Sequence, residues 1–115
     1  MENRGEIRIA DQVVAVIAGI AANGVDGVTT AASGFYEDIA KKITKKAAAK
    51  GVEVTILEDE TIIDMRLRVR FGTRIDYVCR QVQERVKEDV ETFTELYVRE
   101  VNVKVDSIVL EQEEP

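Results

Sequence analysis

Residues Ile63–Phe71 read IDMRLRVRF. Ile63, Met65, Leu67, Val69 and Phe71 fall on one side of an extended chain, and Asp64, Arg66, Arg68 and Arg70 on the other. Nine residues of unbroken period two predict a β-strand with one buried and one solvated face. A strand of that kind needs apolar elements on one side only, so the rest of the chain has to supply a single covering layer.

The flanking sequence fits that demand. Before it, Val52, Val54 and Ile56 alternate with Glu53 and Thr55, and Leu57–Thr61 (LEDET) reads as a polar turn. After it, Gly72 breaks the pattern, and Thr73 with Asp76 has the spacing of a capping box. A helix follows, with Ile75, Val78, Cys79, Val82, Val86, Val90 and Phe93 on one stripe and Arg74, Arg80, Glu84, Arg85, Lys87, Glu88 and Asp89 on its other faces. A last strand is expected over Tyr97–Val109, with Val101, Val103 and Val105 inward. Leu96 and Val98 are out of phase with that set, which predicts a bulge or a late start near Arg99.

Toward the N-terminus, Glu6–Ile9 alternates and reads as a short strand. Val13 to Ala22 then runs without a polar side chain. A helix apolar on every side must be covered on every side, by its own domain or by a partner. Asp11 is the expected N-cap and Gly24 the expected stop. Ala15, Ala18, Gly19, Ala21 and Ala22 permit close approach to a neighbour. Val25–Ser33 reads as a loop. A second helix is expected from about Gly34 to Lys50, with Phe35, Ile39, Ile43 and Ala47 at helical spacing. The order is β-α-α-β-β-α-β. The fold class is α+β: a two-layer domain with a small antiparallel or mixed sheet and helices packed on one face. Residues 5–110 form one domain and 111–115 an acidic tail.

Composition bounds the function. A chain of 115 residues can bury roughly two-thirds of its unfolded surface in one core. Its net charge of −6 disfavours wholesale nucleic-acid binding. The single cysteine excludes an internal disulfide and suits a reducing compartment. The polar start MENRGEIRI has no signal-peptide core, and the ten apolar residues from Val13 are half the roughly 20 that span a bilayer. A cytoplasmic protein is expected.

Several ordered blocks carry a family resemblance. They are GEIRIADQVVAVIAGIAANGVDGV, KGVEVTI, IIDMRLRVRFGTRIDYVCRQVQERVKEDVE and VREVNVKVDSI, together covering about Gly5 to Val109. Within them stand an Ile-x-Ile-Ala lead-in, an Ala-rich helix, Val-x-Gly-Val at Val25–Val28 and Val-Asn-Val-x-Val at Val101–Val105. In order and spacing these resemble the alkaline shock protein family, the envelope stress response proteins of Gram-positive bacteria. Two positions depart from its pattern. Asp26 stands where proline or glutamate is frequent, and Thr94-Glu95 stands where Thr-Gly is common. Glutamate tolerates positive φ poorly, so a tight left-handed turn is not expected there. The resemblance implies a small, soluble, non-enzymatic protein of cell-envelope homeostasis. Some members are held at the membrane by a membrane-anchored protein partner, and some self-associate. It offers no catalytic motif.

The residues agree that chemistry is scarce. The chain has no histidine, which removes the commonest neutral-pH acid–base group and zinc ligand. Cys79 on the apolar stripe reads as core rather than nucleophile. Glu58, Asp59 and Glu60 lack the ligand spacing of a calcium loop, and no glycine-rich phosphate loop exists. No enzyme, metal or cofactor is expected. Two charged features are the candidate contacts for an anionic partner. Lys41, Lys42, Lys45 and Lys46, with Lys50, form a cationic helix face; it reads either as a contact for headgroups, nucleic-acid phosphate or an acidic protein patch, or as a solvated face. Arg66, Arg68 and Arg70 either meet an acidic partner or a second copy, or pair across strands with Glu53, Glu100 or Asp106. The leading expectation is a scaffold or adaptor acting through protein–protein contacts and self-association. The alternative is a nucleic-acid-binding module using the lysine-rich helix. With no Trp and an apolar face committed to the core, that helix is not expected to insert into a membrane by itself.

Overall fold

The structure is a computed structural model and describes residues 5–29 and 49–110. Over these residues the chain forms helix α1 (Asp11–Asn23), strands β1 (Val28–Thr29), β2 (Val52–Leu57) and β3 (Glu60–Arg70), helix α2 (Ile75–Thr94) and strand β4 (Tyr97–Val109). The α+β class holds. The helix expected from Gly34 lies almost entirely outside the described residues.

β3 is the hub of a mixed sheet. β2 runs antiparallel to its first half, with Leu57 opposite Glu60 and Val52 opposite Met65. β1 runs antiparallel to its far end, with Val28 opposite Val69. β4 runs parallel along its whole length, from Glu60 opposite Tyr97 to Arg70 opposite Val109. Because β4 takes one edge throughout, β1 and β2 share the other. Parallel neighbours need a long crossover, and α2 provides it between β3 and β4.

One apolar cluster joins the sheet to both helices. Ile63, Met65, Leu67, Val69 and Val98 meet Val14, Ala18, Ala21 and Ala22 of α1 and Val78, Val82, Val86 and Val90 of α2. Val52, Val54, Ile56, Val101, Val103 and Val105 pack on its margin. The expected face assignment of β3 therefore holds from Ile63 to Val69. The alanines of α1 let it lie close against α2, since a small side chain shortens the distance between helix axes.

Several local expectations are corrected. Glu6–Ile9 is not a strand: Ile7 is exposed and only Ile9 touches the core. The expected loop at Val25–Ser33 contains β1. Phe71 lies past the end of β3 and is exposed, and at the other end β3 starts earlier than expected, so the polar turn shrinks to Glu58–Asp59. The run in α1 is not covered all round, since Val13 and Ile20 are exposed. Asp11 is the first residue of α1 rather than its cap, and Ala10 stands in the cap position without a side-chain bond. The capping box at α2 does not form. Thr73 Oγ1 donates instead to the Arg70 carbonyl at 2.8 Å, and Asp76 Oδ1 accepts from the Tyr77 N–H at 2.8 Å. On the α2 stripe, Ile75 and Phe93 are exposed and Cys79 is half-buried.

The bulge expected near Arg99 is present: the register moves from Thr61–Val98 to Ile62–Glu100, leaving Arg99 as the extra residue. A second bulge at Asp106 was not legible in the sequence. Glu95 overturns the argument against a left-handed turn. It closes α2 with φ 65° and ψ 12°, and its N–H reaches the Glu91 carbonyl at 2.9 Å. Gly27 has a clear steric reason to be glycine. Its φ is 103°, and a Cβ there would stand 3.0 Å from Val78 Cγ2.

Candidate interaction surface

Among the described residues, both helices lie on the inner face of the sheet and nothing covers the outer one. The register lays out that outer face in rows. Glu53 and Asn102 flank Asp64, Thr55 and Glu100 flank Ile62, and Lys104 lies beside Arg66. Arg68 and Arg70 continue toward the far end of β3. Acids are in excess at the hairpin end, with Glu53, Glu60, Asp64 and Glu100 around Arg99, and bases at the other, with Arg66, Arg68, Arg70 and Lys104 around Asp106 and Asp26.

The acidic end is internally bonded. Asn102 Nδ2 donates to Asp64 Oδ1 at 3.0 Å and to Glu100 Oε1 at 3.3 Å. Arg99, thrown out by its bulge, donates to Glu60 Oε1 at 2.8 Å and to Glu100 Oε2 at 3.2 Å. The bond to Glu60, then that to Glu100, holds its guanidinium even more firmly protonated than usual. At the basic end the pairs are looser. Arg66 lies 3.9 Å from Asp106 and Arg70 lies 3.7 Å from Asp26. Of the cross-strand acids the sequence offered for the arginines, Asp106 is the one the structure brings to Arg66. Such exposed pairs contribute at most about 1 kcal/mol each, so an incoming carboxylate can displace them.

Beside the arginines a cleft of about 210 Å³ opens between the ends of β1 and β2. Its rim carries Lys50, Arg66, Arg68 and Asp106, and its wall includes Gly19 and Val52. At the same end of the sheet the Phe71 N–H bonds the Val109 carbonyl at 2.9 Å, with Phe71 and Leu110 exposed. Lys41, Lys42, Lys45 and Lys46 lie outside the described residues, so the structure does not test the cationic face they were expected to form.

Burial, and then the neighbouring Asp76 charge, push the Cys79 thiol up from its ordinary pKa, away from the reactive thiolate. Among the described residues no group of histidine, cysteine or carboxylate side chains is placed to hold a metal ion, and no helix is long and apolar enough to cross a membrane. Sequence reasoning missed the roles of Arg99, Glu60 and Asp26, which depend on which strands adjoin. It also left Gln83, Lys87 and Glu91 without a role, although their four-residue spacing puts them on one ridge of α2.

These features define a class: a two-layer α+β domain with an alanine-rich helix packed beside a valine-striped one and, among the described residues, a bare, charge-patterned sheet face. The chain belongs to the alkaline shock protein 23 family, described by a cell envelope-related function, which matches residues 1–110. It is 36% identical over 104 residues to the uncharacterized protein YqhY of Bacillus subtilis (strain 168), covering 90% of this chain and 77% of that one. It is 28% identical over 106 residues to the stress response regulator gls24 homolog of Streptococcus pyogenes serotype M1, covering 91% of this chain. Of that regulator's own length the chain spans 59%. No solved structure matches it.

Proposed function

We propose that the chain is a non-enzymatic interaction module, a scaffold or adaptor of the envelope stress-response type, that binds a protein partner through the outer face of its sheet, which nothing among the described residues covers. The observation that carries this reading is the segregation of charge on that face. Arg66, Arg68, Arg70 and Lys104 form a basic end beside a cleft and the exposed Phe71. Positive charge next to apolar surface suits an acidic, partly apolar segment of a partner, with charge steering the encounter and the apolar groups holding it. The absence of histidine and the raised Cys79 pKa favour binding over catalysis. The stress-regulator name of the gls24 homolog and the cell envelope-related description of the family support this reading. The partner is then one anchored in the membrane, which would hold this domain at the cytoplasmic side.

The test is affinity capture from membrane and soluble fractions of the native cell, using the wild type and an Arg66→Glu/Arg68→Glu/Arg70→Glu variant. Loss of a specific membrane-fraction partner from the variant supports the reading. A variant that retains every partner removes this face from it.

A further inference from the structure

β4 is the longest strand, and its outer edge faces no other strand among the described residues. An edge of that length presents unpaired N–H and C=O groups to any other chain. Three side chains of α2 are laid along it. Glu91 Oε2 accepts from the Val98 N–H at 2.9 Å, and Lys87 Nζ donates to the Val98 carbonyl at 2.7 Å. Gln83 Nε2 donates to the Val101 carbonyl at 3.0 Å. An acceptor for one N–H and donors for two carbonyls are what a neighbouring strand would bring.

The spacing explains how a helix can do this. Residues 83 to 91 rise about 12 Å along α2, and Val98 to Val101 cover about 10 Å of strand. One ridge of α2 therefore keeps pace with the edge. Lys87 is fixed from two more sides, by Glu91 Oε2 at 2.8 Å and by the Tyr97 ring, whose centroid lies 4.8 Å from Nζ. Beyond this rail, the bulges at Arg99 and Asp106 bound a regular stretch of only six residues, Glu100 to Val105.

We propose that Gln83, Lys87 and Glu91 act as a surrogate strand that keeps a second copy of this chain from adding its own β4 to the edge. The occupant follows from the sequence of the strand. Antiparallel pairing of two β4 strands centred on Val103 puts Val101 opposite Val105 of the second copy and Lys104 opposite Asn102. The apolar face then continues across both copies, and from Val101 to Val105 no like charges meet, while Glu100 comes opposite the bulge residue Asp106 of the second copy. The positive pattern for self-addition is present, and the rail is what opposes it.

The test compares the wild-type full chain with Gln83→Ala/Lys87→Ala/Glu91→Ala by size-exclusion chromatography with light scattering, over a hundredfold range of concentration. The expected result is a variant, folded by circular dichroism, whose mass roughly doubles relative to wild type at high concentration. Adding Val103→Pro should restore the wild-type mass. Val103 shares the outward phase of Val101, so its N–H is one that the second strand needs and β3 does not. Gln83→Ala alone, which frees the Val101 carbonyl inside the paired stretch and keeps the two contacts at Val98, should show the same shift to a smaller extent and serves if the triple variant does not fold. An unchanged mass in the folded variants, or association that survives Val103→Pro, overturns the proposal.

Discussion

Replacing Thr61 by valine should stabilise the protein. Thr61 lies on the inner face of β3, opposite Val98, and is fully buried. Its hydroxyl Oγ1 is buried without a hydrogen-bond partner among the described residues. A desolvated, unpaired hydroxyl costs about 1–3 kcal/mol. Valine keeps the β-branched shape that a strand favours and removes that cost, and its extra buried methyl adds at most about 0.8 kcal/mol. A net gain of about 1–2 kcal/mol is expected, which for a domain of this size raises Tm by about 4–8 °C per kcal/mol. Thr61→Ser is the control: it keeps the orphan hydroxyl and deletes a buried methyl, so it should lose about 1 kcal/mol. Urea and thermal unfolding followed by far-ultraviolet circular dichroism measure both. If Thr61→Val is no more stable than the wild type, the hydroxyl is satisfied in solution and the reasoning fails.

Glu95→Gly should add about 0.5–1 kcal/mol, because glycine adopts the left-handed end of α2 without the Cβ penalty; a urea midpoint at or below the wild-type value would contradict this. Gly27→Ala should lose about 1–3 kcal/mol through its positive φ and the crowding of Val78 and Thr73, and an unchanged midpoint would show that the turn relaxes freely. Glu91 titrates below the ordinary carboxylate range, chiefly through its bond from Lys87 and then through that from the Val98 N–H. A folded pKa below the unfolded one gives stability that is present above the unfolded value of about 4.3 and fades as pH falls through the folded value. The stability difference between wild type and Glu91→Gln should therefore be constant near neutrality and shrink in acid; a difference that grows in acid would reverse the sign and refute it.

The sequence made the strands legible because one-sided burial writes period two directly into residues such as Val52–Ile56 and Ile63–Val69. It also exposed the Arg99 bulge, since a phase error between Val98 and Val101 has no other cheap remedy in a strand. It misread Glu6–Ile9, because alternation shows that a segment could pair and not that a neighbour is there to pair with. β1 was missed for the opposite reason: two residues are too few to show a period. Glu95 shows a different failure, where the need to turn from α2 into β4 outweighs a local preference of about 1–2 kcal/mol. At the candidate surface the arginine row of β3 was readable from composition and phase. Of its partners only Asp106 was among the acids offered, since Asp26 and Glu60 reach the row or its neighbours only through the assembled register. The rail of Gln83, Lys87 and Glu91 was hidden among charges that look solvated until β4 lies beneath them.

Capture of the native partner on the wild-type chain and on the Arg66→Glu/Arg68→Glu/Arg70→Glu chain, run side by side on membrane fractions, bears most directly on how this molecule works. A membrane-anchored protein bound by the first and lost by the folded second is the predicted result. An identical set of bound proteins on both would contradict it.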